Sequence, residues 1–335
     1  MSEHLDDPVP KVDYRRTCVR PPWAALPEAV RTAVGEVAGS VVVDGGTPVG
    51  SGFTGGFAAV VRLADGRSVF AKAGSGTNPH LLEAYAREAE VLAALPVAAP
   101  APALLGSRHL PAGEADEQAW QLLVTEAVPG RLPQPWTERD LGAVHDACVL
   151  VGEALSPLAH RWPEQVGEHF LAGGLAATYR SLADGSLPLT SGQPRWVRAR
   201  LPELQALVDL AADALRGDVP GHGDVRADNV LVEGDRAVLV DWNWVMSGPG
   251  WTDWVAVLST ARPDGVDVDA WLARSPLTRD ADPEAVDSWL ALVAAYMLQA
   301  ADEPVWPGGP PVVRVHQRRW GRLLLDWLGA RRGWS

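Results

Sequence analysis

An aspartate, an asparagine five residues later and a second aspartate just past a hairpin form a set of groups suited to phosphoryl transfer. The chain carries it as His222-Gly223-Asp224-Val225-Arg226-Ala227-Asp228-Asn229, then Val230-Leu231-Val232, a Glu233-Gly234-Asp235 turn and Asp241. Such a transfer needs a carboxylate to orient the attacking hydroxyl and accept its proton. It also needs an amide oxygen and a second carboxylate to hold Mg2+ against the phosphates. Asp224, Asn229 and Asp241 fit these three roles, in that order. The bland alternative, a loop rich in Asp and Asn because turns favour them, weighs little against the spacing.

A second group of residues lies upstream. Gly50-Ser51-Gly52-Phe53-Thr54-Gly55-Gly56 is a glycine-rich turn between strands, and Lys72 lies on the second strand after it. Glycines such as Gly52 and Gly55 let backbone N–H groups approach a polyphosphate, and a lysine can meet its oxygens. A glycine-rich turn alone says little. Lys72 is one of only two lysines in the chain, and the next helix supplies a partner for it. Leu81, Tyr85, Glu88, Leu92 and Leu95 are spaced 4, 3, 4 and 3, one face of a helix over residues 80–95. Glu88 therefore lies on the apolar stripe, where a carboxylate is costly unless a cation meets it. Lys72 is the available cation, and Glu83 and Glu90 point elsewhere.

The elements that must position these groups fall into two halves. Residues 41–43, 58–63, 68–73, 103–108 and 120–125 read as strands, interrupted by the helix just described. From Thr137 onward the pattern is helical, with helices expected at 138–155, 166–183, 196–216, 284–301 and 311–330. Thr137 and Asp140 resemble a capping box at the first of these. One strand pair, 230–232 with 237–240, interrupts the helices. The expected organisation is a partly helical N-terminal extension over 1–39, a sheet-based lobe over 40–127 and a helical lobe over 128–335. The fold class is α+β, with a small antiparallel-sheet lobe holding one main helix beside a larger, mostly helical lobe.

Composition narrows the partners. The 335 residues carry a net charge of −13, which disfavours nucleic acid or an acidic membrane as partner. No apolar run approaches the ~18 residues of a membrane span. Residues 1–10 lack the apolar core of a secretory signal, so a cytoplasmic location is expected. Cys18 and Cys148 are too few for a disulfide framework or a structural zinc site, and both read as small buried hydrophobes. Tryptophan is over-used, with 15 residues, ten of them from Trp242 onward. They could stack on a sugar face or cap a cation in a cleft, but core filler for the helical lobe is the preferred reading. The other histidines, among them His145, His160 and His169, lack metal-ligand spacing.

At residues 222–229 the chain resembles the HGDxxxxN signature of aminoglycoside phosphotransferases and their choline-kinase-like relatives. Asp241-Trp242 resembles the DW pair of those proteins, and Gly248-Pro249 and Asp253 continue the pattern. Lys72, Arg87-Glu88-Ala89 and the 124–130 segment are similar to the family's lysine strand, helix glutamate and hinge. The resemblance spans roughly residues 40–260. It implies a two-lobed, protein-kinase-like fold with ATP between the lobes. Carried over, Lys72 would bind the α- and β-phosphates and Glu88 would hold Lys72. The backbones of Thr125 and Ala127 would meet adenine. Asp224 would be the base, and Asn229 and Asp241 would hold Mg2+. His222 and Asp253 would support the loop rather than react. Arg226 and Asn243 depart from the family, which commonly has His and an acidic residue there, and both bear on the acceptor side.

The resemblance implies an ATP- and Mg2+-dependent kinase acting on a hydroxyl of a small molecule, with an aminoglycoside or other antibiotic as leading acceptor. Residues 131–335 carry a net charge of −8, which would suit a polycation, although residues 1–130 are also acidic at −5. Choline, amino sugars and homoserine are alternative acceptors. A non-catalytic pseudokinase would lack one of the four key groups, and none is missing. A protein kinase would need a substrate platform after Asp241, and the chain passes from Asp241 to Asp253 in only 12 residues. The oligomeric state is left open.

Overall fold

The computed structural model describes residues 9–188, 192–306 and 308–334. The N-terminal extension holds a helix, α1 (Glu28–Ala38), closed by Gly39 at φ 74°. A five-stranded antiparallel sheet follows, built from β1 (Val42–Asp44), β2 (Phe57–Leu63), β3 (Ser68–Ser75), β4 (Leu104–Leu110) and β5 (Trp120–Glu126) in the order β1-β2-β3-β5-β4. Helix α2 (Pro79–Ala94) lies between β3 and β4 in the chain, with Pro79 in its first turn. Val30, Ala33 and Val34 of α1 pack on one face of the sheet with Phe57, Ala71, Leu122 and Val124. The outer face of α2 belongs elsewhere. Ala89, Val91 and Leu92 join Leu123 and Trp136 in the core of the helical half, so apolar packing crosses the expected lobe boundary at 127–128.

The second half begins with α3 (Glu138–Leu155), which Thr137 caps by accepting a bond from the Asp140 amide at 3.1 Å. Residues 138–161 are long and apolar enough, by length and composition, to span a membrane. Leu141, Val144, Cys148, Val151 and Leu155 of that segment are buried in the core of this half. The helix expected over 166–183 is broken. The structure has α4 (Val166–Ala172) and α5 (Thr178–Asp184), parted at Gly173-Gly174, where Gly174 takes φ 87°. The one expected over 196–216 likewise divides into a 3-10 turn, α6 (Leu201–Asp209) and α7 (Ala211–Ala214). Pro202 sits in the first turn of α6, the one place a helix tolerates it.

The site segment then runs through β6 (Val219–Gly221), β7 (Val230–Glu233), β8 (Arg236–Leu239) and β9 (Met246–Gly248). β7 pairs with β8 as the expected hairpin, and β6 pairs with β9, bringing residue 221 beside residue 246. Four helices complete the fold: α8 (Thr252–Ala261), α9 (Val268–Arg274), α10 (Pro283–Asp302) and α11 (Val312–Arg332). α8 is buried nearly all round, which removes the periodic pattern by which a surface helix is recognised.

Cys148 is buried as expected, whereas Cys18 is half-exposed and its thiol donates to the Thr54 carbonyl at 3.0 Å. Core filler is the right reading for most of the late tryptophans. Trp242, Trp251, Trp254, Trp289, Trp320 and Trp327 are buried. Trp271, Trp306 and Trp334 are half-buried, and Trp244 is 48% exposed.

Candidate active site

The register of β2, β3 and β5 places Lys72 in the middle of the sheet, opposite Ala58 and Leu123. From there its ammonium donates to both oxygens of Glu88, at 2.8 and 2.6 Å, as the helix stripe required. It also donates to Asp241 Oδ1 at 2.9 Å, a contact across 169 residues that the sequence did not disclose. The Glu88 side chain is 3% exposed and that of Asp241 is 32% exposed. Burial works against the Lys72 charge, but the carboxylates of Asp241 and Glu88 outweigh it and hold the ammonium well above its usual range. Burial likewise works against the Asp241 charge, and Lys72 overcomes it, drawing that carboxyl down to about 2. Glu88 is pushed up by burial against the pull of Lys72. The ammonium is thus fixed and charged, between a buried carboxylate and a more open one.

The catalytic-loop residues are held by short-range bonds. Asn229 donates from Nδ2 to the Asp224 carbonyl and to Asp224 Oδ2, both at 2.9 Å. The Val240 amide bonds the Asn229 carbonyl at 2.9 Å, which brings Asp241 beside Asn229 across the β7–β8 hairpin. Asp241 is the one non-glycine residue among those described with positive φ, at 71°. A left-handed aspartate is strained, and such strain concentrates at functional sites. Asp241 Oδ2 and Asn229 Oδ1 accept no hydrogen bond from the described residues.

His222 and Asp253 lie behind the loop. Asp253 accepts the amides of His222 and Gly223 on its two oxygens, at 2.7 and 3.0 Å. The His222 ring lies between the Val240 carbonyl at 3.0 Å and the Asp224 amide at 3.2 Å. Those partners require Nε2–H to donate and Nδ1 to accept, which is the neutral tautomer. Burial lowers the His222 pKa to about 4 in agreement. Burial raises that of Asp253 to about 6, with the two amides pulling the other way.

Asp224 is raised to about 7, by burial first and then by Asp228 and Asp241, while Arg226 opposes the rise. A carboxyl that titrates near neutrality is suited to accepting a proton there. Its immediate partner is Arg226, whose Nη1 donates to both Asp224 oxygens and whose Nε donates to Asp228 at 3.0 Å. Arg226 therefore grips the carboxylate expected to act as base. The sequence marks Arg226 only as a departure; nothing in its spacing reveals the grip.

Of the two hinge positions, Thr125 sits inside the sheet, opposite Phe70 on β3 and Leu104 on β4. Ala127 lies just past β5, half-buried. Its backbone N–H and carbonyl bond to no backbone group among the described residues. The glycine-rich loop covers the site from above. Gly52 takes φ 85°, and a Cβ on Gly55 would lie 3.3 Å from the Gly308 carbonyl. Phe53, at the loop tip, faces the Arg226 guanidinium at 5.4 Å and the His316 ring at 4.8 Å. The Trp244 backbone lies against Gly223, the residue before Asp224, and its ring meets that of His169 edge to face at 6.0 Å.

The sequence profile of the APH phosphotransferase enzyme family matches residues 49–292. No curated protein matches the chain by sequence. Among solved structures, a thermostable variant of the aminoglycoside phosphotransferase APH(4)-Ia, with AMP-PNP and hygromycin B, is similar at TM-score 0.59. It is 15% identical, and the match covers 92% of this chain and 100% of that one. The macrolide 2'-phosphotransferase MphH from Brachybacterium faecium aligns at TM-score 0.54 and 14% identity, over 89% and 98% of the two chains. Spectinomycin phosphotransferase APH(9)-Ia, with ADP and spectinomycin, aligns at TM-score 0.51 and 11% identity, over 90% and 98%. At these identities the likeness speaks for the two-lobed kinase-like fold.

Proposed function

The chain belongs to the phosphotransferase enzyme family, and from that premise we propose that it moves the γ-phosphate of ATP to a hydroxyl of a small molecule. The observation that carries this reading is the meeting of Lys72, Glu88 and Asp241 in one ion-pair chain, with Asp224 and Asn229 joined beside it. Lys72, fixed by Glu88, would meet the α- and β-phosphates, and the Ala127 backbone would meet adenine. Thr125 is the weaker of the two hinge positions, because it is enclosed by neighbouring strands.

Asp224 would orient the acceptor hydroxyl and take its proton, with Asn229 holding the carboxylate in place. His222 and Asp253 would support the loop from behind. Asp241 Oδ2 and Asn229 Oδ1 are two hard oxygen donors that accept no hydrogen bond from the described residues, which fits Mg2+, an ion that keeps waters and phosphates in its shell. Bound there, the ion would neutralise charge on the phosphate oxygens.

An antibiotic is the leading acceptor, since the similar structures are enzymes of aminoglycosides, a macrolide and spectinomycin. Trp244, whose backbone lies against Gly223, is exposed, and its indole could stack on a sugar or a small cation. That observation favours amino sugars or choline as the second reading. The test is ADP release by the purified chain with ATP and Mg2+ across aminoglycosides, macrolides, nucleoside antibiotics, amino sugars, homoserine and choline. One acceptor should raise ADP release well above its acceptor-free level. A chain that binds nucleotide yet responds to none would be a binding protein rather than a small-molecule kinase.

A further inference from the structure

A loop rich in glycine has few side chains with which to hold its own shape. The loop at 49–56 is held instead by residues 17–20, in the N-terminal extension. Arg20 donates from Nε to the Val49 carbonyl at 3.1 Å and from Nη2 to that of Ser51 at 2.8 Å. Its Nη1 reaches the carbonyls of Thr54 and Gly56 at 2.6 and 2.8 Å. Thr17 Oγ1 donates to the Gly52 carbonyl at 2.7 Å, and the amides of Thr17 and Cys18 share that of Gly50 at 2.8 and 2.9 Å. Six loop carbonyls are thereby turned toward one short segment.

The consequence follows from peptide geometry. In a trans peptide the N–H points opposite to the preceding carbonyl, and the only cis bond among the described residues is Gln134-Pro135. The amides of Gly50, Ser51, Gly52, Phe53 and Gly55 therefore face away from the 17–20 segment. Among the described residues, no backbone amide from Gly50 to Gly56 donates a hydrogen bond. A row of backbone donors that the described residues leave unused, beside glycines, can cradle an anion.

The turn just before that segment, residues 14–16, is itself anchored. The Tyr14 amide bonds Gln134 Oε1 at 3.0 Å and its hydroxyl meets His316 Nδ1 at 2.8 Å. The segment thus ties the loop to α11 and to the start of the helical half.

We propose that residues 17–20 brace the glycine-rich loop from the face opposite a nucleotide's polyphosphate, with Arg20 as a positioning residue that turns the loop's amides toward the phosphates. The proposal rests on the nucleotide reading above and extends it to a segment outside the family match. Arg20 acts through the loop. Its planar array of donors spans four carbonyls, which a lysine's single ammonium cannot do.

The experiment is calorimetric titration of the full chain with ADP and, separately, with adenosine, which lacks phosphates. Arg20→Ala should weaken ADP by about tenfold or more while adenosine stays within about twofold, since charge-assisted bonds are lost only on the phosphate side. Millimolar guanidinium should restore part of the ADP affinity to that variant. Arg20→Lys and Thr17→Val should show smaller losses with the same selectivity, and they serve if Arg20→Ala does not fold. Unchanged ADP affinity in a folded variant would overturn the proposal, and so would equal losses for ADP and adenosine, the mark of a general structural defect. A wild-type chain that binds adenosine but gains nothing from the phosphates would overturn it too. One that binds neither would defeat the nucleotide reading itself.

Discussion

The two walls of the cleft are built on different terms. On the lower wall, residues 222–241 carry their own fasteners. Asn229 holds Asp224, His222 spans from the Asp224 amide to the Val240 carbonyl, and Asp253 takes two amides. On the upper wall, the 49–56 loop contributes backbone and little else, and the groups that fix it come from residues 14–20 and from α11. A wall made of side chains writes its requirements into its own sequence as types and spacings. A wall made of backbone must borrow side chains from elsewhere, and its requirements leave no mark where it stands.

The largest expected effect belongs to the lower wall. Asp224→Asn should lower turnover by on the order of 10² or more, since orienting and proton-accepting roles vanish together. Affinity for Mg·ATP should hold within a few-fold, because the role proposed for Asp224 is on the acceptor side. Near-normal turnover would remove Asp224 from the chemistry. A matching collapse of nucleotide affinity would show that the two walls do not divide the labour as described.

Lys72 joins the walls and tests the division from the other side. Lys72→Met should raise the KM for ATP and lower turnover, and Glu88→Gln should do so more weakly. The two singles are expected to be strongly non-additive, by at least ~0.5 kcal/mol in a double-mutant cycle. Lys72→Met leaves buried Glu88 without its cation, whereas Glu88→Gln leaves Lys72 with Asp241 alone, so the single costs should not sum. Additive effects on ATP kinetics would mean that the observed contacts at 2.6 and 2.8 Å do not couple the residues in solution.

What could be read in the sequence follows the same line. The Asp224–Asn229–Asp241 spacing, the hairpin between them and the Glu88 stripe all appear in the structure where periodicity and turn chemistry place them. α3 begins and ends at the expected residues because Thr137 caps it and one face is continuously apolar. The expectation failed where the cause was not periodic. Gly173-Gly174 and Pro202 break helices that hydrophobic spacing alone would continue. β6 and β9 are three residues each and contain Pro220 and Gly248, a composition that hides a strand. Arg20 and Tyr14 could not be read, because each depends on which distant residues fold against it. The Arg226 grip is local, two residues to either side, but the direction its side chain takes is set by folding and not by spacing.

The smallest effect is the most discriminating, and it concerns pH. Asp224 must be ionised to accept a proton, and its pKa is raised to about 7. With acceptor and Mg·ATP well below saturation, kcat/KM should be flat above that value. It should fall about tenfold per unit as pH drops below it. The cause assigned to the shift predicts what moves this limb. Burial, Asp228 and Asp241 raise the pKa, and Arg226 lowers it. Arg226→Met should therefore carry the acid limb to higher pH, because the one opposing charge has gone. Lys72→Met belongs to the other wall, and Lys72 is not among the main causes of the Asp224 shift. It should depress kcat/KM across the whole range while leaving the midpoint where it was. A limb that moved with Lys72 and ignored Arg226 would place the titrating group on the nucleotide side. Asp224 would then be ionised throughout, and its role would reduce to holding the acceptor hydroxyl in line.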